Sequence, residues 1–343
     1  MKIIYIFLFS LLISKNLFSN NIFDTREYEL NFSSNNINLI KENKINEIKI
    51  KSFQNLIKKI LSKKNLKKIK LNDINFINSF ILNYKINNEK IINNNYFANI
   101  KINFNEKLII NYLIENKIEF INKVPNKFLV IIMENSDLKT YLLSDENHYY
   151  QFLKDSENEL YIRYFKIPNL DFNDRFVFNQ YHFKNDIFGQ NNILNKKYGT
   201  KYQILINSIN NKNIIIYDIY LYHNNKKHFV SKIPINNLNY EKLFDHILFN
   251  SINKWKEINQ IKTSLKNKLE CKININNINE LIYVRGLLKS NILVQKLTLK
   301  DIKLNNNLYS ILFVGDIKNF KNSLELNRLN LFYDNNLCNI ELV

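Results

Sequence analysis

Apolar and polar positions alternate strictly from Tyr96 through Ala98, Ile100 and Ile102 to Phe104, the period of a strand with one buried face. Elsewhere the apolar residues recur every three to four positions. Phe53, Leu56, Ile57, Ile60 and Leu61 fall at helical spacing, so Asn36–Leu61 reads as a helix and Ser52–Leu71 as an amphipathic one. Asp73–Leu82 reads as a second helix, with Ile74, Ile77, Ile81 and Leu82 on one side. Thr25–Phe32 alternates like a strand, and Ile91–Glu106 carries the alternating run already described. Asn105 caps a helix over Lys107–Glu115. Phe128–Met133 is apolar without a break, the pattern of a strand buried on both faces.

The pattern is less regular after residue 134. Thr140–Leu153 reads as a helix and Leu160–Pro168 as a strand, while Asp171–Gln190 is aromatic and polar without a clean period. Strands follow at Tyr202–Ile209, Asn213–Tyr222 and Lys227–Ile233. Asn210-Asn211 and Asn224-Asn225 supply the turns, because asparagine tolerates positive φ. Leu238–Lys266 is a long helix that carries Trp255. The last stretch gives strand Leu269–Ile275, helix Asn279–Ser290, strands Leu293–Lys303 and Tyr309–Val314, helix Phe320–Leu329, and a final strand to Leu342. That order, βαββαβ, is ferredoxin-like, with Gly286 at a close helix contact and Gly315 at a strand-to-helix turn. The expected architecture is a multi-domain α/β (α+β) chain. It has an N-terminal mixed α/β sheet domain over 20–134, a middle α/β domain over 135–268, and a ferredoxin-like domain over 269–343.

Composition narrows the function classes. A chain of 343 residues that is 45% hydrophobic and 23% charged is a folding chain. With only 4 Gly and 3 Pro it lacks the clustered glycines of a phosphate loop, a dinucleotide fingerprint or a nucleophile elbow. Asn, Ile and Lys dominate, which is what an AT-rich coding bias writes on solvated faces. The formal net charge is +18, and it is unevenly spread. Lys41–Lys70 holds eleven Lys against two Glu, half of the excess, and Lys58, Lys59, Lys63, Lys64, Lys67 and Lys68 crowd its end. Lysines suit a helix C-terminus, and together they also form a basic binding surface for an acidic envelope protein or an anionic membrane.

Lys2, the apolar-and-small run Ile3–Ser14, and small residues at Ser14 and Ser19 read as a secretory signal over 1–19, cleaved near Ser19. The run is too short to span a bilayer, and the mature chain is expected to be exported and periplasmic. Cys271 and Cys338 are the only thiols. Export permits a disulfide between them, and their apolar strand-like surroundings equally suit two buried thiols. No Cys or His spacing offers four zinc ligands, and no cofactor motif is present.

The five histidines form no His-Glu-x-x-His motif, and His223 and His228 bracket a polar turn as exposed hairpin residues. Asp171/Asp174 and Asp145/Glu146 read as turn and cap residues. An RNA-recognition role would need aromatics on both central strands of the last block. Cys271–Asn276 has none, which with the export signal argues against nucleic acid.

The run Tyr96-Phe-Ala-Asn-Ile-Lys-Ile-Asn-Phe104-Asn105, the helix ending in Tyr112-Leu113 and the Pro125-led strand Phe128-Leu-Val-Ile-Ile132 resemble a family of exported bacterial proteins. That family is the Domain of Unknown Function family number two thousand sixty-six, and the likeness covers about residues 24–240. It departs where Val124-Pro125 stands in place of Arg-Pro, and where the tryptophan usual before that strand is missing. The resemblance implies export and a fold without an established active site. The sequence reading is therefore an exported cell-envelope protein that acts by binding, as an accessory or scaffold for envelope assembly. The competing class is a periplasmic hydrolase whose site is assembled from scattered residues, with His182 or His246 in a pocket beside a carboxylate and a hydroxyl.

Overall fold

The alternation from Tyr96 to Phe104 forms an extended strand whose five apolar members are all buried. The computed structural model describes residues 22–343 except 137–138, 186, 212–213, 276, 303–305 and 335–336; the expected signal over 1–19 lies outside the described residues. The chain is mixed α/β, with twelve helices and three sheets among the described residues. By contact it forms two units. One joins the stretch ending at Lys123 to Gln260–Val343, and the other is Val124–Asn259.

The first unit begins with β1 (Glu27–Ser33), α1 (Ile37–Ile60), α2 (Lys63–Leu66) and α3 (Ile74–Asn78). It continues through β2 (Ile81–Ile92), β3 (Asn95–Phe104) and α4 (Glu106–Glu115). β3 is the middle strand of an antiparallel sheet ordered β1-β3-β2. Phe53 of α1 lies among Phe76, Phe80 and Phe104, which fixes the helix on the buried face. The second expected helix, Asp73–Leu82, ends early. Asp73 caps a short α3, and Phe80 turns inward. Ile81 then opens a 12-residue strand that is exposed over most of its length. Asn93 and Asn94, at φ of 47° and 62°, make the turn into β3, so Ile91 and Ile92 belong to β2.

The second unit is built on β4 (Phe128–Asn135), with β5 (Thr140–Leu142) paired antiparallel to it. α5 (His148–Asp155), α6 (Glu159–Tyr164), β6 (Phe165–Lys166), α7 (Phe172–Val177), α8 (Gln180–Lys184) and α9 (Phe188–Tyr198) follow. β7 (Gln203–Asn211), β8 (Ile214–His223), β9 (Lys226–Ile235) and α10 (Tyr240–Asn259) complete it. The sheet order is β5-β4-β7-β8-β9 with β6 beside β4, and β4 runs parallel to β7. Phe128–Met133 is buried at every position, as its unbroken apolar run requires.

Two expectations in this unit reverse. Thr140–Leu153 is a short strand and then a helix, because Leu143 takes φ 51° and Asn147 caps α5. Leu160–Pro168 is mostly helix: Asn158 accepts from Leu160 N at 2.9 Å, and Tyr161 turns inward while Leu160 and Ile162 stay exposed. Asn224 and Asn225, at φ 49° and 57°, form the expected hairpin turn. Asn210 and Asn211 instead remain paired with β8, and the turn beyond them lies outside the described residues.

The long closing helix stops at Asn259. Ile261 then bridges antiparallel to Phe120, and both are fully buried, which ties the two segments of the first unit together. β10 (Lys266–Asn274), α11 (Ile278–Ser290), β11 (Val294–Ile302), β12 (Asn306–Val314) and α12 (Ile317–Glu325) lead to the hairpin of β13 (Leu329–Asp334) and β14 (Leu337–Leu342). The five-stranded sheet is ordered β11-β12-β10-β14-β13. It departs from the ferredoxin-like order at its end. α12 stops early, Arg328 turns at φ 59°, and the expected single last strand becomes two. β14 then lies parallel to β10, where a single returning strand would be antiparallel. That pairing sets Cys271 opposite Cys338, and the two form a disulfide. Gly315 is needed in its turn, at φ 94°, where a side chain would meet Ile261 at 2.9 Å; Gly286 faces open space instead of a close helix contact.

Candidate functional site

The six lysines Lys58, Lys59, Lys63, Lys64, Lys67 and Lys68 are all exposed. α1 buries Ile45, Ile48, Phe53, Leu56, Ile57 and Ile60, which turns Lys58 and Lys59 outward. The amphipathic helix expected through Leu71 breaks at Leu61, whose φ of −108° and ψ of 147° are extended. Leu61 turns into the core, and Asn65 is drawn in after it, its Nδ2 donating to the Glu119 carbonyl at 2.9 Å. This anchor leaves Lys63 and Lys64 on the outside of the short α2, and Lys67 and Lys68 in the turn that follows it. Lys59 Nζ donates to the Asp24 carbonyl at 2.7 Å. From Ile48 to Asn72 the sequence contains no acid.

The second unit presents a different surface, which the sequence did not single out. Helical spacing puts Phe172, Arg175 and Phe176 of α7 on one face and Asp174 on the other. Phe172 is 72% and Phe176 76% exposed, and their rings stack on each other. On α8, Tyr181 and Lys184 are also exposed. The reverse face of α7 is held by Asp174, which is fully buried. Its carboxylate accepts from Lys197 Nζ at 2.6 Å, from the Tyr198 hydroxyl, and from Leu170 N at 3.2 Å. Those contacts hold the Lys197 ammonium well above its usual range, and burial pushes the Tyr198 hydroxyl up to about 12. Asp171 caps α7 through Asp174 N and is itself paired with Lys197. An Asp read as a cap is thus the buried anchor that aims two phenylalanines outward.

His182 Nδ1 accepts from Asn179 N in a capping box, with its ring against Phe178 and Tyr181. His246 is exposed on α10. His223 and His228 are half-buried instead of exposed. His223 stacks on Tyr202 with ring centroids 3.9 Å apart, and burial followed by Lys254 and Lys226 lowers the His228 pKa. Asp145 pairs with Lys154 at 2.8 Å. One His–carboxylate contact was not expected from the sequence: His148 Nδ1 lies 2.9 Å from Glu134, which also accepts from His148 N. Both bonds go to the first residue of α5, where an anion satisfies the helix N-terminus, so they fit a structural cap.

Among the described residues no group of three or more His, Cys, Asp or Glu is placed to hold a metal ion. Among them too, no helix is long and apolar enough to cross a membrane. No family model, no curated protein and no solved structure matches this chain.

Proposed function

We propose that the protein is an exported component of the cell envelope that works by binding an anionic membrane surface through Lys58–Lys68. The observation that carries this reading is the set of six exposed lysines in a 25-residue stretch without an acid. Each lysine near an anionic bilayer contributes on the order of 1 kcal/mol, and a cluster of four to eight is the usual recognition element. The excess of positive charge, which loses only Lys2 and Lys15 with the expected signal, adds long-range attraction. Taken by itself, the Phe172–Arg175–Phe176 face has matching chemistry, since apolar rings flanked by cations suit a bilayer interface. The Cys271–Cys338 disulfide supports export, because such bonds persist in oxidising compartments.

The test is cosedimentation with vesicles of phosphatidylcholine mixed with phosphatidylglycerol. Binding is expected to fall steeply as salt shortens the Debye length from roughly 10 Å at 0.1 M. Replacing Lys63, Lys64, Lys67 and Lys68 by Gln is expected to weaken it by roughly a thousandfold while leaving the circular dichroism spectrum unchanged. Binding that is indifferent to these four changes refutes the lysine surface. Retention on an envelope protein instead of the vesicles assigns the surface to an acidic partner.

A further inference from the structure

The edge strand of a sheet presents unpaired N–H and C=O groups, and folds blunt such edges with charge, proline, bulges or shortness. Most edges of this chain carry one of these devices. β1 has Glu27 and Glu29, β2 is bulged between Asn87 and Lys90, and β5 has three residues. β9 combines a bulge with Pro234, and β11 breaks register twice. β13 has none of them. Its register with β14 is unbroken from Leu329 to Asp334, it lacks proline and lysine, and its one charged residue, Asp334, stands at its end. Val343 N donates to the Arg328 carbonyl at 3.0 Å, so Arg328, Asn330, Phe332 and Asp334 turn their backbone groups toward β14. The N–H and C=O of Leu329, Leu331 and Tyr333 therefore point out of the sheet, and no described residue bonds them.

We propose that β13 pairs antiparallel with β13 of a second copy of this chain, about a two-fold axis at Leu331. One register satisfies every outward group: Leu331 faces its own counterpart, and Leu329 faces Tyr333 of the second copy. Sliding the strands by two residues in either direction leaves one outward residue of each copy without a partner. The same register sets Arg328 opposite Asp334 of the second copy, once at each end. Both side chains are exposed, and neither has an ion-pair partner among the described residues. Tyr333 is half exposed, and it falls beside a hollow of about 520 Å³ at Leu329 of the second copy, walled also by Arg328 and Val343. These contacts favour a second copy over an unrelated strand, because one edge supplies both halves of each. The five-stranded sheet then runs on through the dimer. The inference does not rest on the Lys58–Lys68 surface.

Sedimentation velocity of the full chain over a wide range of concentration tests this. A monomer–dimer equilibrium is expected. Tyr333→Pro removes an outward N–H and leaves the bonds to β14 in place, so it is expected to abolish the dimer with the circular dichroism spectrum unchanged. Arg328→Glu sets two acids against each other at each end, and is expected to weaken the dimer at least about tenfold. Adding Asp334→Arg to that variant restores opposite charges and is expected to bring the affinity back, a rescue that misfolding of the single variant would not show. A chain that stays monomeric at every concentration overturns the proposal. So does a dimer that Tyr333→Pro and Arg328→Glu both leave unchanged, since its contact then lies elsewhere.

Discussion

Cys271 and Cys338 show what a single residue type can and cannot announce. Their even number and the export signal expected from the sequence permit a bond, but apolar surroundings suit free thiols equally well. The decision rests on β14 entering the sheet beside β10, and that depends on Arg328 turning the chain after α12. The bond joins positions 67 residues apart, so loop-closure entropy assigns it roughly 4 kcal/mol. Cys271→Ser with Cys338→Ser is expected to lose stability of that order, read as a lower denaturant midpoint. A midpoint unchanged from wild type under oxidising conditions contradicts the assignment. Asp174 makes the same point about legibility. Its spacing from Asp171 reads as a turn, and only Lys197 and Tyr198, more than twenty residues on, show it to be a buried anchor.

At the scale of elements, strong periods match the structure and weak ones do not. The alternation of β3, the unbroken run of β4 and the helical spacing of α1 each survive, because one dominant burial pattern sets them. β2 is exposed over most of its length, so it has no alternation to read, and its two ends resemble a helix and a strand. α6 reads as a strand in the sequence because a six-residue helix shows too few turns to declare its period. Asparagine caps carry much of the missing information. Asn105 makes one capping bond, to Leu108 N, and Asn105→Ala is expected to cost about 1 kcal/mol. Asn147 is fully buried; it accepts from Tyr149 N and Tyr150 N and donates to Ile132 and Tyr141 carbonyls. Its loss removes the donor from one buried and one part-buried carbonyl as well as the cap from the helix end, so Asn147→Ala is expected to cost about 3 kcal/mol. Equal losses for the two variants in chemical denaturation contradict this reading of α5.

For the whole molecule, the sequence pattern describes successive blocks, and contacts describe something else. Gln260–Val343 rejoins the stretch ending at Lys123 through the Phe120–Ile261 bridge, while Val124–Asn259 forms its own unit. Such a return is set by long-range packing, which leaves no local period. The basic surface was legible because charge and spacing are local properties. The +18 charge, the lysine surface and the disulfide converge on one central claim, that the chain is exported and rests on an anionic membrane. Fractionation of the native host, with mass determination of the chain in each fraction, tests it most directly. The account predicts a chain beginning near Asn20 with its two cysteines oxidised, in the envelope fraction and released by high salt. An intact chain from Met1 in the cytosol, with both thiols reduced, contradicts it.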